Sequence, residues 1–239
     1  MEAEKNLKII TDDYPMSKFA SLAFIELGNI KMQQAKLDEA EKHFQSVVKL
    51  QRANPEDKSF ANYQLARIFS FRNNFESARN NLITVMGNLK DNIANDAIEL
   101  SILLNTAKND SSNLSLYCSA EFLTEQKRFN EAKEMYLQLS QNPQAFVFNS
   151  IAKLRTAEML TAKDDYLNAI SNLTIIVDEA EKNIYADKAL YLQGQIYQFG
   201  LKDSAKAVES YESLLAKFPK SLYLDEARQN IIELKKKLS

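Results

Sequence analysis

The chain has 239 residues, 45% of them hydrophobic, and a formal net charge of -2 with both signs interspersed. Its single cysteine, Cys118, excludes an internal disulfide and a multi-cysteine metal site, and no apolar run reaches the roughly 18 residues of a membrane span. No basic stripe with interleaved aromatics points to nucleic acid, and with only four glycines, four prolines and no tryptophan the composition favours helix throughout.

One pattern recurs at a period of about 34 to 40 residues. A Gly or Ala in one amphipathic helix is followed twelve or thirteen residues later by an Ala. An aromatic or Leu comes four residues after that Ala, and an aliphatic three further on. Residues 1–15 hold only the second half, with Ala3, Leu7, Ile10 and Pro15. Either the chain as given starts inside a repeat, which is preferred, or a lone helix caps an array. Residues 17–55 give a full unit: Phe24, Leu27 and Gly28, a turn at Leu37-Asp38, then Ala40, Phe44 and Val47, with Pro55 closing it. Gly28 would cost about 1 kcal/mol in an isolated helix, so a second helix is expected to cross it closely. Residues 59–92 repeat the pattern through Leu65, Ala66, Phe69, Ala78, Leu82 and Val85, with Asn73-Asn74 as the turn.

The rhythm then breaks. The second-helix alanines are Ala40, Ala78, Ala132, Ala169 and Ala207, spaced 38, 54, 37 and 38 apart. The long interval holds one extra amphipathic helix over 93–108, with Ile93, Ala97, Leu100, Leu104 and Ala107 on one face. It is expected to be a seam or bend, followed by a loop at 109–113. The repeat resumes at 114–146 and 148–183. It is clearest at 188–219, where Gly194, Tyr197, Ala207, Tyr211, Leu214 and Pro219 keep every position and the turn holds one extra residue, to be accommodated by Gly200. Residues 221–238 form a capping helix with Leu224, Ala227, Ile231 and Leu234 on one face, and its Lys235-Lys236-Lys237 run reads as a solvated helix end. Ser17 and Ser221, each two residues after a proline, are placed to cap the helices that follow.

The phrases Phe24-x2-Leu27-Gly28, Ala40-x3-Phe44, Gly194-x2-Tyr197, Ala207-x3-Tyr211 and Pro219 resemble tetratricopeptide repeats. The resemblance covers nearly the whole chain, with 93–108 as the main departure. It implies an all-α, right-handed superhelical solenoid of antiparallel helix pairs whose first helices line a concave groove for a peptide or partner protein. The phrase from Tyr211 to Ser221 is similar to bacterial envelope members, the outer-membrane assembly lipoproteins and Tol–Pal coordinators. That implies a periplasmic or outer-membrane-associated compartment over a cytoplasmic one.

Catalytic chemistry has few candidates. His43 is the only histidine and reads as a surface or packing residue. Cys118 reads as a buried or half-buried thiol. Asp12-Asp13 and Asp164-Asp165 suit turns or caps. No phosphate loop or metal motif is present, so no catalytic residue, cofactor or metal is expected. Counting from each close-contact small residue, the position three before it is expected to face the groove: Ile25, Tyr63, Tyr117, Leu154 and Tyr191. The tyrosines either contact a partner or pack between neighbouring first helices. The residues just after the small ones are Asn29, Arg67, Glu121, Glu158 and Gln195. The chaperone-tail clamp of some family members takes a lysine and an asparagine at these two positions, and here only Asn29 fits. Glu121 and Glu158 point instead to basic or mixed-charge ligands. The expected function is a non-enzymatic interaction scaffold. The alternatives are a self-associating envelope subunit, dimerising through the half repeat at 1–15, or a regulatory repeat segment of an enzyme.

Overall fold

The computed structural model describes residues 2–87, 93–179 and 183–238, and all regular structure among them is helical. The helices are α1 (Glu2–Asp13), α2 (Ala20–Gln33), α3 (Leu37–Lys49), α4 (Pro55–Phe71), α5 (Phe75–Met86), α6 (Ala94–Thr106), α7 (Ser111–Glu125), α8 (Phe129–Gln141), α9 (Phe146–Thr161), α10 (Tyr166–Asp178), α11 (Ala186–Gln195), α12 (Ser204–Lys217) and α13 (Leu224–Leu238). A 3-10 turn spans Pro143–Ala145 and a π turn spans Ile196–Gly200. The repeat ends expected near 92 and 183 run into residues outside those described.

The chain divides into two compact units, 1–132 and 133–239. In the first, α1 to α6 pack serially, each on the next, and α7 packs on α4. Its core includes Met32, Phe44, Val47 and Ile68, all with no exposure. In the second, α9 to α13 pack serially around Leu173, Ile176, Tyr211 and Leu214, also fully buried. Each helix gives one apolar stripe to its neighbours, so burial of that stripe rather than intrinsic propensity holds each pair.

The extra helix α6 is not the seam expected at 93–108. It lies on α5 inside the first unit, and the division falls at Ala132–Lys133. Because α7 packs on α4, the row of first helices continues past the insertion. Residues 111–113 are not loop but the first turn of α7, whose N-cap Asp110 accepts from Asn113 N at 3.3 Å.

Two prolines open helices instead of closing them. Pro55 stands in the first turn of α4, where Asn54 caps by accepting from Asp57 N at 2.6 Å. Pro143 opens the 3-10 turn behind Asn142. A helix's first residue needs no N–H, so proline costs nothing there. Ser17 and Ser221 accept from Phe19 N and Tyr223 N, two residues on, forming local turns ahead of α2 and α13 and not the expected caps.

The hairpin turns share one device. Ala35, Asn73, Lys127, Asp164 and Lys202 all have φ between 55° and 61°. Each lies five residues before its repeat alanine, from 35 to 40, 73 to 78, 127 to 132, 164 to 169 and 202 to 207. The first turn is therefore centred on Ala35, ahead of the Leu37-Asp38 expected. The turn before α12 absorbs its additional residue as the π turn, closed by Leu201 N donating to Ile196 O at 2.9 Å. Gly200 does not supply a left-handed backbone there; Lys202 does. What Gly200 supplies is room: a Cβ would sit 2.7 Å from Tyr166 Cε1.

On α1 the exposed positions are Glu2, Ala3, Lys5, Asn6, Lys8, Ile9, Asp12 and Asp13. Ile9 is the one large apolar side chain among them, so this face gives no support to the dimer expected through the half repeat. Lys31, only 4% exposed, ties α1 to α3 by pairing with Glu4 at 2.8 Å and Glu39 at 2.9 Å. At the far end of the second unit Lys235 pairs with Glu212 across α13 and α12 at 2.7 Å.

Candidate functional site

The site is built on the close approach inside each helix pair. A Cβ on Gly28 would lie 2.6 Å from Phe44 Cζ, and one on Gly194 would overlap the Tyr211 ring. No side chain tolerates that distance, so glycine in α2 and α11 is what lets an aromatic ring seat against the helix backbone. In the pairs α4–α5 and α9–α10 the same positions hold Ala66 with Leu82 and Ala157 with Leu173, all buried. The volume removed from one helix is matched by the volume added on the other. Tyr211, fully buried, keeps its hydroxyl satisfied by donating to Gln198 Oε1 at 2.8 Å.

This register fixes what the first helices present. The position three before the small residue is interior: Leu154 is fully buried, and Tyr117, Ile25 and Tyr191 are 3%, 6% and 8% exposed. Tyr63 is half-buried. Tyr117 and Tyr191 therefore do not offer their rings to a partner, which corrects the expectation for those two residues. Tyr191 packs on the cap, stacked on Tyr223 with ring centroids 4.8 Å apart, and its hydroxyl donates to Glu226. Burial and that carboxylate push its pKa well above the ordinary tyrosine value.

The position just after the small residue behaves differently. Asn29, Arg67, Glu121, Glu158 and Gln195 are all half-buried, one face held by the protein and one open. Arg67 reaches from α4 to Glu125 on α7 at 2.8 Å, donates to Gln64 Oε1 at 2.9 Å, and lies over the Phe71 ring at 5.4 Å. Phe71 stacks on Phe122 with centroids 5.0 Å apart. Arg67 is thus committed to holding α4 against α7, with Tyr63 and Glu121 contributing to its electrostatic surroundings.

Among the described residues each unit carries a concave surface. In the second unit a cleft of about 390 Å³ is lined by Ala157, Glu158, Thr161, Tyr166, Leu173, Leu192, Gln195, Ile196, Phe199 and Gly200. The sequence-expected Glu158 and Gln195 meet here. Glu158 is steadied by Arg155 at 3.0 Å, and Gln195 donates to the Tyr191 hydroxyl at 3.1 Å. The π turn forms one wall and leaves Phe199 65% exposed at the rim. In the first unit a trench of about 510 Å³ runs between α2 and the starts of α4 and α6. Asn29 lines it with Leu22, Ile25, Glu26, Glu56, Asp57, Phe60, Ile93 and Asp96.

Family models described as Tetratricopeptide repeat match residues 23–54 and 188–221, the two pairs in which glycine faces an aromatic ring. The protein carries tetratricopeptide repeats. No curated protein matches the chain. The two matched repeats place their outward residues, Asn29 in one and Gln195 in the other, on the two concave surfaces just described.

Phe199, Tyr166 and Leu192 in the second unit, and Leu22, Glu26 and Asp96 in the first, were not among the residues expected from the sequence. Phe199 had a signal, since it belongs to the one turn longer than its counterparts. Glu26 had none, because nothing in a single helix distinguishes a cleft acid from a solvated one. Among the described residues no three His, Cys, Asp or Glu groups converge as metal ligands, and no helix is long and apolar enough to cross a membrane. Burial, with the Glu121 charge second, pushes the Cys118 thiol up to about 12, so at neutral pH it is not a nucleophile. Burial, and then the Lys31 ammonium, hold His43 below the usual imidazole range.

Proposed function

We propose that the protein is a non-enzymatic interaction scaffold that docks a segment of a partner protein on its concave surfaces. The observation that carries this reading is the meeting of Glu158 and Gln195, at equivalent positions of successive repeats, in one largely apolar cleft with Phe199 exposed at its rim. Its volume lies within the range of roughly 300–1,000 Å³ typical of ligand sites. A few placed polar groups on apolar walls are what orient a bound side chain. Because the walls are helices locked by core packing, little ordering of the protein opposes binding. The envelope-like phrase at 211–221 supports a bacterial periplasmic or outer-membrane-associated setting as part of the same proposal.

The test is selection from a displayed peptide library against the immobilised chain, followed by titration of the selected peptides. Phe199→Ser and Gln195→Ala are expected to weaken them by about fivefold to tenfold, the ordinary range for losing one contact of about 1 kcal/mol, with no change in melting temperature. A library that yields no binder, or binders indifferent to both substitutions, contradicts the proposal.

A further inference from the structure

The trench in the first unit has a chemistry of its own. One stripe of α2, Leu22, Ile25, Glu26 and Asn29, runs along it, and Phe60 and Ile93 complete the apolar surface. The other lining groups are Glu56, Asp57 and Asp96, so among the described residues four carboxylates and no lysine or arginine line the trench. The protein as a whole carries a net charge of only -2, so this is a local concentration of negative charge.

Several acids elsewhere in the same unit are paired. Glu4 and Glu39 pair with Lys31, Asp38 and Glu41 with Arg72, and Glu125 with Arg67. Among the described residues Glu26, Glu56 and Asp96 have no such cation. Glu56, Asp57 and Asp96 stand in the first turns of α4 and α6, where the helix dipole favours them. Asp57 also accepts from the Ser21 hydroxyl. Glu26 has no such account. It lies in the middle of α2 with Leu22 and Ile30 four residues away and Ala23 and Asn29 three away, so no cation on its own helix faces it.

The apolar part is equally unspent. Leu22 is 52% exposed, and Phe19, one turn earlier, is 55% exposed, forming a row that leads into the trench. Leu22 to Asn29 extends about 10 Å at 1.5 Å per residue, room for about two turns of a docked helix. The carboxylates do not converge as a metal site among the described residues. Negative charge spread along an apolar floor suits several cations on one ligand, not a single ion.

Building on the scaffold reading, we propose that this trench binds a basic amphipathic segment of a partner protein, with apolar side chains on Leu22 and Phe60 and lysines or arginines facing Glu26, Glu56 and Asp96. The fit is a helix-in-groove mode with charge complementarity setting partner choice and association rate.

The probe is a fluorescein-labelled amphipathic peptide of leucine and lysine long enough for three helical turns, read by anisotropy at low and at physiological salt. The whole chain should bind it, with affinity falling as salt rises. The triple variant Glu26→Gln, Glu56→Gln, Asp96→Asn should lose about tenfold, and Glu26→Lys alone, at a solvated mid-helix position, about fivefold. The leucine–glutamate counterpart should not bind. The proposal is overturned by equal binding of the probe to both variants, by equal binding of an oligolysine without leucines, or by wild-type self-association that the triple variant abolishes, which would put a second copy in the trench. If the lysine–leucine probe fails while library peptides still depend on Phe199, this inference falls and the scaffold reading stands. If neither binds, both fall.

Discussion

The hairpins α2–α3 and α11–α12 are closed in the same way and differ in how they turn. In both, a glycine admits an aromatic ring to the backbone of the first helix, Phe44 against Gly28 and Tyr211 against Gly194. The first turns tightly through Ala35 and leaves its outward stripe acidic, along the trench. The second takes an additional residue into a π turn, and that residue's worth of chain pushes Phe199 out over an apolar cleft. The interior of the repeat tolerates little change, because packed volume is matched side by side. The turn and the outward stripe tolerate much.

The largest expected effect comes from filling the close approach. Gly194→Leu should cost about 3 kcal/mol or more by overpacking against Tyr211, read as loss of the last hairpin in thermal unfolding followed by circular dichroism. Tyr191→Ala comes next. The ring lies between α11 and α13, so deletion should cost about 3 kcal/mol in urea unfolding, where a groove residue on the surface would cost little. Ala35→Gly should sharpen the contrast between the two turns from the other side. Ala35 holds φ at 59°, and a left-handed alanine is strained by roughly 1 kcal/mol. Glycine should therefore raise stability by about 0.5–1 kcal/mol, seen as a higher denaturant midpoint with an unchanged slope.

The smallest effect is in pH dependence. His43, on α3, has its pKa held below the ordinary value by burial and by Lys31. The unfolded chain therefore takes up that proton at a higher pH than the folded one. The contribution of neutral His43 is complete above the unfolded pKa of about 6.5 and is lost as pH falls toward the folded value. His43→Gln should flatten the fall in stability below about pH 6.5, measured by thermal melts across that range. An unaltered pH profile would mean that another group carries the acid sensitivity.

Much of the repeat was legible because its signal is steric and local. Gly28, Ala40 and Phe44 announce a close helix pair by size and spacing alone, and so do Gly194, Ala207 and Tyr211. The turns were harder to read. Asn73 and Asp164 are residue types that visit the left-handed region, but the other left-handed positions hold Ala35, Lys127 and Lys202, which have no intrinsic preference for it. Pro55 and Pro143 were read from the wrong side, because a proline after one helix and a proline opening the next look alike in sequence. The half-buried setting of Asn29, Arg67, Glu121, Glu158 and Gln195 followed from helical register. The tyrosines did not, because register alone does not tell a groove wall from a packed neighbour. Tyr191 was decided by α13 and the residue before it, beyond its own repeat, which supply Glu226 and Tyr223.

The claim that matched volumes close the α2–α3, α4–α5, α9–α10 and α11–α12 pairs is tested most directly by a double-mutant cycle on Gly28 and Phe44. Gly28→Ala alone should destabilise by about 1–3 kcal/mol through contact with the ring. Adding Phe44→Leu recreates the pairing of Ala66 with Leu82 and should recover a substantial part of that loss, giving a favourable coupling of about 1 kcal/mol or more. Losses that simply add, with no coupling between the two positions, would contradict the account.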